Sequence, residues 1–317
     1  MRALTYERHG GPREGVVKKV FDPRPGPGEV VVRVVAAALN PADWKIVEGK
    51  FPFLAFPKKP FVPGCEAAGV VEALDPRVAG LREGDEVVVS TGLGGSLAEK
   101  VSVSALQAAK KPAALSFEEA AAIPAAGQSA LQALRDLGGL RSGQRLLVNG
   151  AGGGIGTFAV QVGKLLGAHV TAVASEGKHG MLADLGADAL LDYRKTDFAR
   201  ARESWDVVFD VVPSRSFGEC SRVLSPDGVY VTTLPGAGPF LASVGAALRA
   251  PFGFRKRCRA LMLKPRPEDL GWLLDQAAAG RLKAVVGKTV PLEQAAWALS
   301  DLSAGHVTGK TVVTVAA

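Results

Sequence analysis

The 317-residue sequence is short of cysteine: its three thiols, Cys65, Cys220 and Cys258, stand far apart. So sparse and odd a set argues against a disulfide framework and fits a reducing, cytoplasmic setting. It also excludes a four-cysteine structural zinc site built from one chain. No charge-free apolar run reaches about 18 residues, which argues against a membrane span. The opening MRALTYERHGG carries charge where a secretory signal would have an apolar core. No internal repeat is evident, and no nucleic-acid motif accompanies the basic residues.

What is there is ordinary in bulk: 47% hydrophobic and 22% charged residues, as in soluble globular proteins, over a length sufficient for two domains. The net charge of +7 leaves nucleic acid, an anionic membrane or a phosphorylated small ligand as partners. The lysines and arginines are spread along the chain apart from RKRCR at 255–259, which reads as a solvated basic face.

Two kinds of sequence alternate. Up to residue 113, short valine-rich runs (VVKKVFD, EVVVRVVAAAL, GVVEAL, DEVVVS, LAEKVSV) are separated by Gly, Pro and Asp, a β-rich pattern. After KKPAALSFEEAAAIP, continuous apolar strands alternate with helices, which indicates a parallel sheet covered on both faces. RALMLK at 259–264 is the expected sixth strand, and PEDLGWLLDQAAAG the helix after it. Beyond residue 282 the β-rich character returns. The chain is therefore expected to leave its first domain, build a second, and come back.

The most informative segment is RLLVNGAGGGIGTFAVQVGKLLGAHV. A strand ends in a glycine loop, and a helix follows with Ile155, Phe158, Ala159, Val162, Leu165 and Leu166 on one face. Ala151, Gly153 and Gly156 occupy the three positions of a dinucleotide-binding fingerprint, alanine replacing the first glycine. The helix N-terminus offers unpaired N–H groups to an anion. Ala151, Gly153, Gly154, Ile155 and Gly156 are the expected pyrophosphate-binding positions.

The next strand ends at Ser175, where an NAD-preferring site would usually carry Asp or Glu. A hydroxyl and an ammonium, Ser175 and Lys178, suit a 2′-phosphate and therefore NADP; Glu176 dissents.

These features resemble the medium-chain dehydrogenases/reductases, and within them the zinc-independent quinone oxidoreductase and enone reductase branch related to reticulon-interacting oxidoreductases. The landmarks run along nearly the whole chain: AALNPADWKIVEGKF, VPGCEAAGVVEAL, REGDEVVV, GGSLAEKVSV, SFEEAAAIPAAGQSALQAL, the glycine loop, LGADALLDYR, WDVVFDVV, LMLKPRPEDL and GHVTGKTVVTV. The resemblance implies an α/β fold: a GroES-like β-rich substrate domain from residues 1–114 and 283–317, and a Rossmann doubly wound parallel sheet from 115–282. It also implies NADPH in the cleft between them and a homodimer as the assembly.

Zinc-dependent relatives hold their metal with a cysteine, a histidine and a second cysteine in three segments. The matching positions here are Asn40, Cys65 and Ala125, so no metal is expected: one thiolate with an amide and a methyl group cannot make a tetrahedral site. Cys65 is then a packed turn residue or, alternatively, a reactive thiol. By the same resemblance Asn40 and Lys45 face the nicotinamide and serve as the catalytic donors, although a turn residue and a surface charge are the plainer readings. Asp43 orders the local turn. Ser129 begins a helix and either contacts the cofactor or caps it. Tyr193 lies against the 2′-phosphate or simply ends a strand, and Leu234 and Pro235 line the nicotinamide pocket.

Segment 235–259 is apolar, then basic, and is open as a substrate lid, a dimer contact, a helix on the sheet or a membrane-surface contact. The expected activity is hydride transfer from NADPH to a quinone or α,β-unsaturated carbonyl. The alternatives are a non-catalytic NADPH-binding regulatory or scaffold protein and, behind it, an alcohol dehydrogenase.

Overall fold

The computed structural model describes residues 1–51, 60–233, 238, 241–243, 255–305 and 307–315. Leu234, Pro235 and most of segment 235–259 lie outside the described residues. The chain divides into two compact units: Met1–Ala125 with Pro265–Gly280 and Ala284–Ala317, and Ala126–Lys264 with Arg281–Lys283. The expected boundaries fell at 114/115 and 282/283. By packing, the helix Pro267–Ala278 belongs to the first unit, where it lies against the strand Ala108–Lys110.

The second unit is built on six parallel strands, ordered Ala189–Leu191, His169–Val173, Arg145–Asn149, Trp205–Asp210, Leu224–Thr232, Arg257–Ala260. Leu146, Leu147, Val148, Val207, Val208 and Phe209 are at most 1% exposed. Continuous apolar runs are what a sheet buried on both faces requires. Strand order reverses between Arg145–Asn149 and Trp205–Asp210, and ligands of such sheets bind outside the carboxyl ends at that reversal. The sixth strand starts two residues earlier than expected, so RKRCR is largely sheet edge: Cys258 is buried, while Arg255, Arg257 and Arg259 are exposed.

The first unit has a seven-stranded sheet centred on Glu29–Ala38, which pairs with Glu66–Leu74, Lys100–Ser104 and, from the far end of the chain, Lys310–Thr314. Val30, Val32, Val34, Val87, Val89, Leu299 and Val313 form its core. The register Val312↔Ala38 brings Lys310 beside Leu39 and Asn40. Among the described residues no helix is long and apolar enough to cross a membrane.

Candidate active site

The glycine loop stands at the carboxyl end of Arg145–Asn149, where the strand order reverses. Its left-handed residue is Gly150 (φ 80°), one place before the fingerprint. That is why alanine is tolerated at 151, which has no positive φ. The N–H groups of Gly150 and Ala151 donate to the Val173 carbonyl at 3.2 and 3.0 Å, tying the loop to the neighbouring strand. Gly153 caps the helix Gly154–Leu165 with extended backbone and no side-chain bond. The amides of the first turn are thus the kind of donors an anion uses. A Cβ at Gly156 would lie 2.2 Å from the Gly150 carbonyl oxygen, so the helix can approach the turn only with glycine there. Phe158, fully buried, anchors the helix to the sheet; burying such a side chain contributes about 1.5–3 kcal/mol.

Lys178 is half-buried and lies across this loop. A Cβ on Gly152 would meet Lys178 Cδ at 2.4 Å, and Nζ is 3.4 Å from the Gly152 carbonyl oxygen. Burial lowers its pKa. Ser175 is half-buried and opens the short turn Glu176–Lys178. Glu176 is exposed and accepts from Lys195 Nζ at 2.8 Å. Tyr193 is exposed, with the Arg194 guanidinium 5.6 Å from its ring centroid. Ser129 does not begin its helix. Pro124, whose fixed φ suits a first turn, starts it, and Ser129 is a buried interior residue of Pro124–Leu131.

In the first unit a polar cluster is buried where the three metal-ligand segments converge. Lys310 Nζ donates to Glu66 Oε1 at 2.7 Å, Asn40 Oδ1 at 2.6 Å and the Leu39 carbonyl at 2.9 Å, which uses all three of its hydrogens. The pair is 3% and 0% exposed. Glu66 Oε1 also accepts from Asn40 Nδ2 at 2.7 Å, and Oε2 from the Ala125 N–H at 2.6 Å. Asn40 Nδ2 lies 3.2 Å from Cys65 Sγ and 3.3 Å from the Ala38 carbonyl. Burial pushes the Cys65 thiol well above its usual pKa, the opposite of a reactive cysteine. Asp43 accepts from the N–H groups of Asn40 (2.7 Å) and Gly64 (3.1 Å), and burial raises its pKa to about 7.

This donor set does not fit zinc. Its carboxylate and amide oxygens are already held by an ammonium, and a single protonated thiol is left. The amide hydrogens of Asn40 are engaged inside the unit, so the side chain is a hub rather than a free donor. Lys45, half-buried on the helix Pro41–Val47, has no ion-pair partner among the described residues; its Nζ lies 5.6 Å from the Trp44 ring centroid.

The sequence reasoning passed over Lys310 and the role of Glu66. The available signal was charge in a buried context: a lysine opening the valine run KTVVTV and a glutamate inside GCEAAGVV. Buried charges of opposite sign must find each other.

Two family models match the chain: an alcohol dehydrogenase GroES-like domain over residues 26–113 and a zinc-binding dehydrogenase domain over 185–313. A chloroplast envelope quinone oxidoreductase homolog of Arabidopsis thaliana is 35% identical over 99% of this chain and 98% of its own length. The chain belongs to the quinone oxidoreductase branch of the medium-chain dehydrogenases/reductases. An Arabidopsis thaliana NADPH-dependent alkenal/one oxidoreductase, chloroplastic, is 33% identical over 99% of this chain and 79% of its own length. The solved quinone oxidoreductase of Coxiella burnetii superposes with a TM-score of 0.87 at 27% identity, covering 100% of this chain and 99% of that one. The zinc in the second model's description has no donor set to match it among the described residues of this family member.

Proposed function

We propose that this protein is a zinc-independent, NADPH-dependent oxidoreductase that delivers hydride to a quinone or an α,β-unsaturated carbonyl. The observation that carries the reading is a pairing. A complete dinucleotide loop has Lys178 laid across it, and at the family's three metal-ligand positions stand an Asn40 amide bonded to the Lys310 ammonium, one buried thiol and an alanine. When bound, NADPH supplies the hydride. Without a metal Lewis acid the acceptor must already be electrophilic, which quinones and enones are. The curated relatives named for quinone and alkenal/one reduction support the same substrate class.

The chain's own contributions follow from the geometry. The loop Ala151–Gly156 and the first turn of its helix hold the pyrophosphate. Ser175, Lys178 and Tyr193 hold the 2′-phosphate, and Lys195 draws Glu176 aside. Ser129, Leu234 and Pro235 complete the cofactor contacts. Lys45 donates to the acceptor oxygen as negative charge develops there. Asn40 acts by holding the start of the Pro41–Val47 helix, which carries Lys45, against Glu66 and Lys310. We assign the substrate side to 1–114 and 283–317 and the cofactor side to 115–282, apart from the helix Pro267–Ala278, which packs within the substrate-side unit, in a cytoplasmic homodimer.

The purified protein should oxidise NADPH when given a quinone or a short enone and barely oxidise simple alcohols with NADP⁺. Elemental analysis should find far less than one zinc per chain, and chelators should leave turnover intact. Stoichiometric zinc with chelator-sensitive alcohol oxidation would replace this reading by an alcohol dehydrogenase. Tight NADPH binding without turnover on any acceptor would replace it by a binding protein.

A further inference from the structure

Asp210 ends the strand Trp205–Asp210 and is 0% exposed. It lies in register with Asn149, the residue immediately before the glycine loop. Oδ1 accepts from Asn149 Nδ2 at 2.8 Å and Oδ2 from the Tyr230 hydroxyl at 2.9 Å. The backbone amides of Ser214 and Arg215 also favour the charged form of this carboxylate. The Tyr230 oxygen is also 3.0 Å from the Arg215 carbonyl, but its one hydrogen is drawn to the charged acceptor. Arg215 is ion-paired elsewhere, with Asp197 at 3.2 Å and Glu219 at 3.6 Å. The Asp210 charge is therefore balanced by hydrogen-bond donors, with no ion-paired cation among the described residues. Burial pushes its pKa up to about 6, so near pH 7.5 it is mainly ionised and accepts from every donor around it.

These bonds join two segments. One is the strand end that leads into Gly150. The other is the connection 211–215, which Asn149 Nδ2 also holds through the Val212 carbonyl (3.3 Å) and Ser214 Oγ (3.0 Å). Val212 is 56% exposed, yet a Cβ on Gly150 would lie 2.7 Å from its Cγ2. The connection thus rests on the phosphate turn while keeping an apolar side chain open at the carboxyl edge of the sheet. A buried carboxylate held by two side-chain donors, with no ion-paired cation among the described residues, is a costly way to stabilise a loop, whereas it is an effective way to fix one geometry.

We propose that Asp210 is a positioning residue for the cofactor: it pins the connection 211–215 and the Asn149–Gly150 turn in the arrangement that receives the dinucleotide. Asp210 touches no cofactor itself and acts through Asn149 and Val212. This rests on the reading of the glycine loop as the NADPH site. Preorganised loops spare the ligand the entropy of ordering them, so loosening them weakens binding without changing the chemistry.

The test is Asp210→Asn, which keeps shape and places an amide donor against existing donors. Dissociation constants for NADPH and NADH should both rise by the same factor, roughly ten- to a hundred-fold, the size of a lost charge-assisted bond. The equal loss is the signature, because the affected elements hold the part common to both cofactors. kcat at saturating NADPH should stay within about threefold of wild type. In the cofactor-free protein the Ser214 and Arg215 amides should exchange with solvent faster. Cofactor affinities within twofold of wild type, or a fall in kcat at unchanged KM, would overturn the proposal. Should Asp210→Asn fail to fold, Tyr230→Phe decides: it removes one donor and should raise both constants by roughly three- to tenfold, and no change would overturn the role. Wild-type protein that binds neither cofactor would overturn the glycine-loop reading and this role with it. Wild-type binding with an unaffected variant overturns this role alone.

Discussion

Lys178 and Glu176 sit two residues apart and pull a 2′-phosphate in opposite directions. Their surroundings decide between them. Lys178 is half-buried on the Gly152 backbone, while Glu176 is turned outward onto Lys195. Lys178→Ala should therefore weaken NADPH binding roughly ten- to a hundred-fold and leave NADH almost unchanged. Titration of both cofactors against the variant checks it; an equal loss for the two would mean that Lys178 acts through the loop's structure. The Lys310–Glu66 pair makes a second residue-scale test. Lys310→Met leaves a buried carboxylate with only Asn40 and the Ala125 amide to satisfy it. Breaking one partner of such a pair costs about 3–5 kcal/mol. Adding Glu66→Gln should recover part of that loss in urea unfolding, since the uncompensated charge is gone. A double variant no more stable than Lys310→Met would show that the cost lay in packing.

At the scale of elements the chain was readable wherever period or punctuation was strong. The valine runs of the first unit, the glycine loop with its amphipathic helix, and the returning strand Lys310–Thr314 fall where their patterns predict. Three things escaped. Ser129 looked like a helix start, but Pro124 is the stronger signal because its fixed φ suits the first turn. The helix Pro267–Ala278 reads as another layer on the parallel sheet, whereas it belongs to the first unit and packs there on the strand Ala108–Lys110, a choice that side-chain period does not encode. The Lys310–Glu66–Asn40 cluster joins residues up to 270 positions apart. No local pattern announces a contact over that separation; only the cost of burying each charge alone implies it. The helix after the glycine loop carries its own test. In Gly156→Ala the new methyl would meet backbone, the Gly150 carbonyl oxygen, rather than a side chain that could swing away. The helix must back off from the turn, at about 1–3 kcal/mol for overpacking. NADPH affinity should fall along with thermal stability, both read from melting curves with and without cofactor. Unchanged cofactor affinity would mean that the helix N-terminus contributes little to the anion site.

Stability as a function of pH belongs to the whole molecule, and two buried carboxyls give it a definite sign. Burial raises Asp43 from 3.8 to about 7 and Asp210 from 3.8 to about 6. A carboxyl with a raised pKa holds its proton more tightly folded than unfolded. Between the unfolded and folded values the native state therefore binds more protons, and stability falls as pH rises. The exposed Asp22 and the half-buried Asp75, lowered to about 2 by their basic neighbours, act the other way, but their contribution is lost only as pH drops below about 4. Comparing wild type with Asp43→Asn isolates one group. The variant gives up one backbone bond at every pH, because an amide has a single acceptor oxygen for the Asn40 and Gly64 N–H groups. That offset is constant; the difference that matters is its slope. From pH 5 to pH 7 the wild type should lose about 2 kcal/mol relative to the variant, with the gap flattening above pH 8. Urea unfolding at pH 5, 6, 7 and 8 measures it. A gap that does not change with pH would mean that Asp43 ionises as freely in the fold as in the unfolded chain. In that case Lys310, which already neutralises Glu66, would be supporting both carboxylates at once.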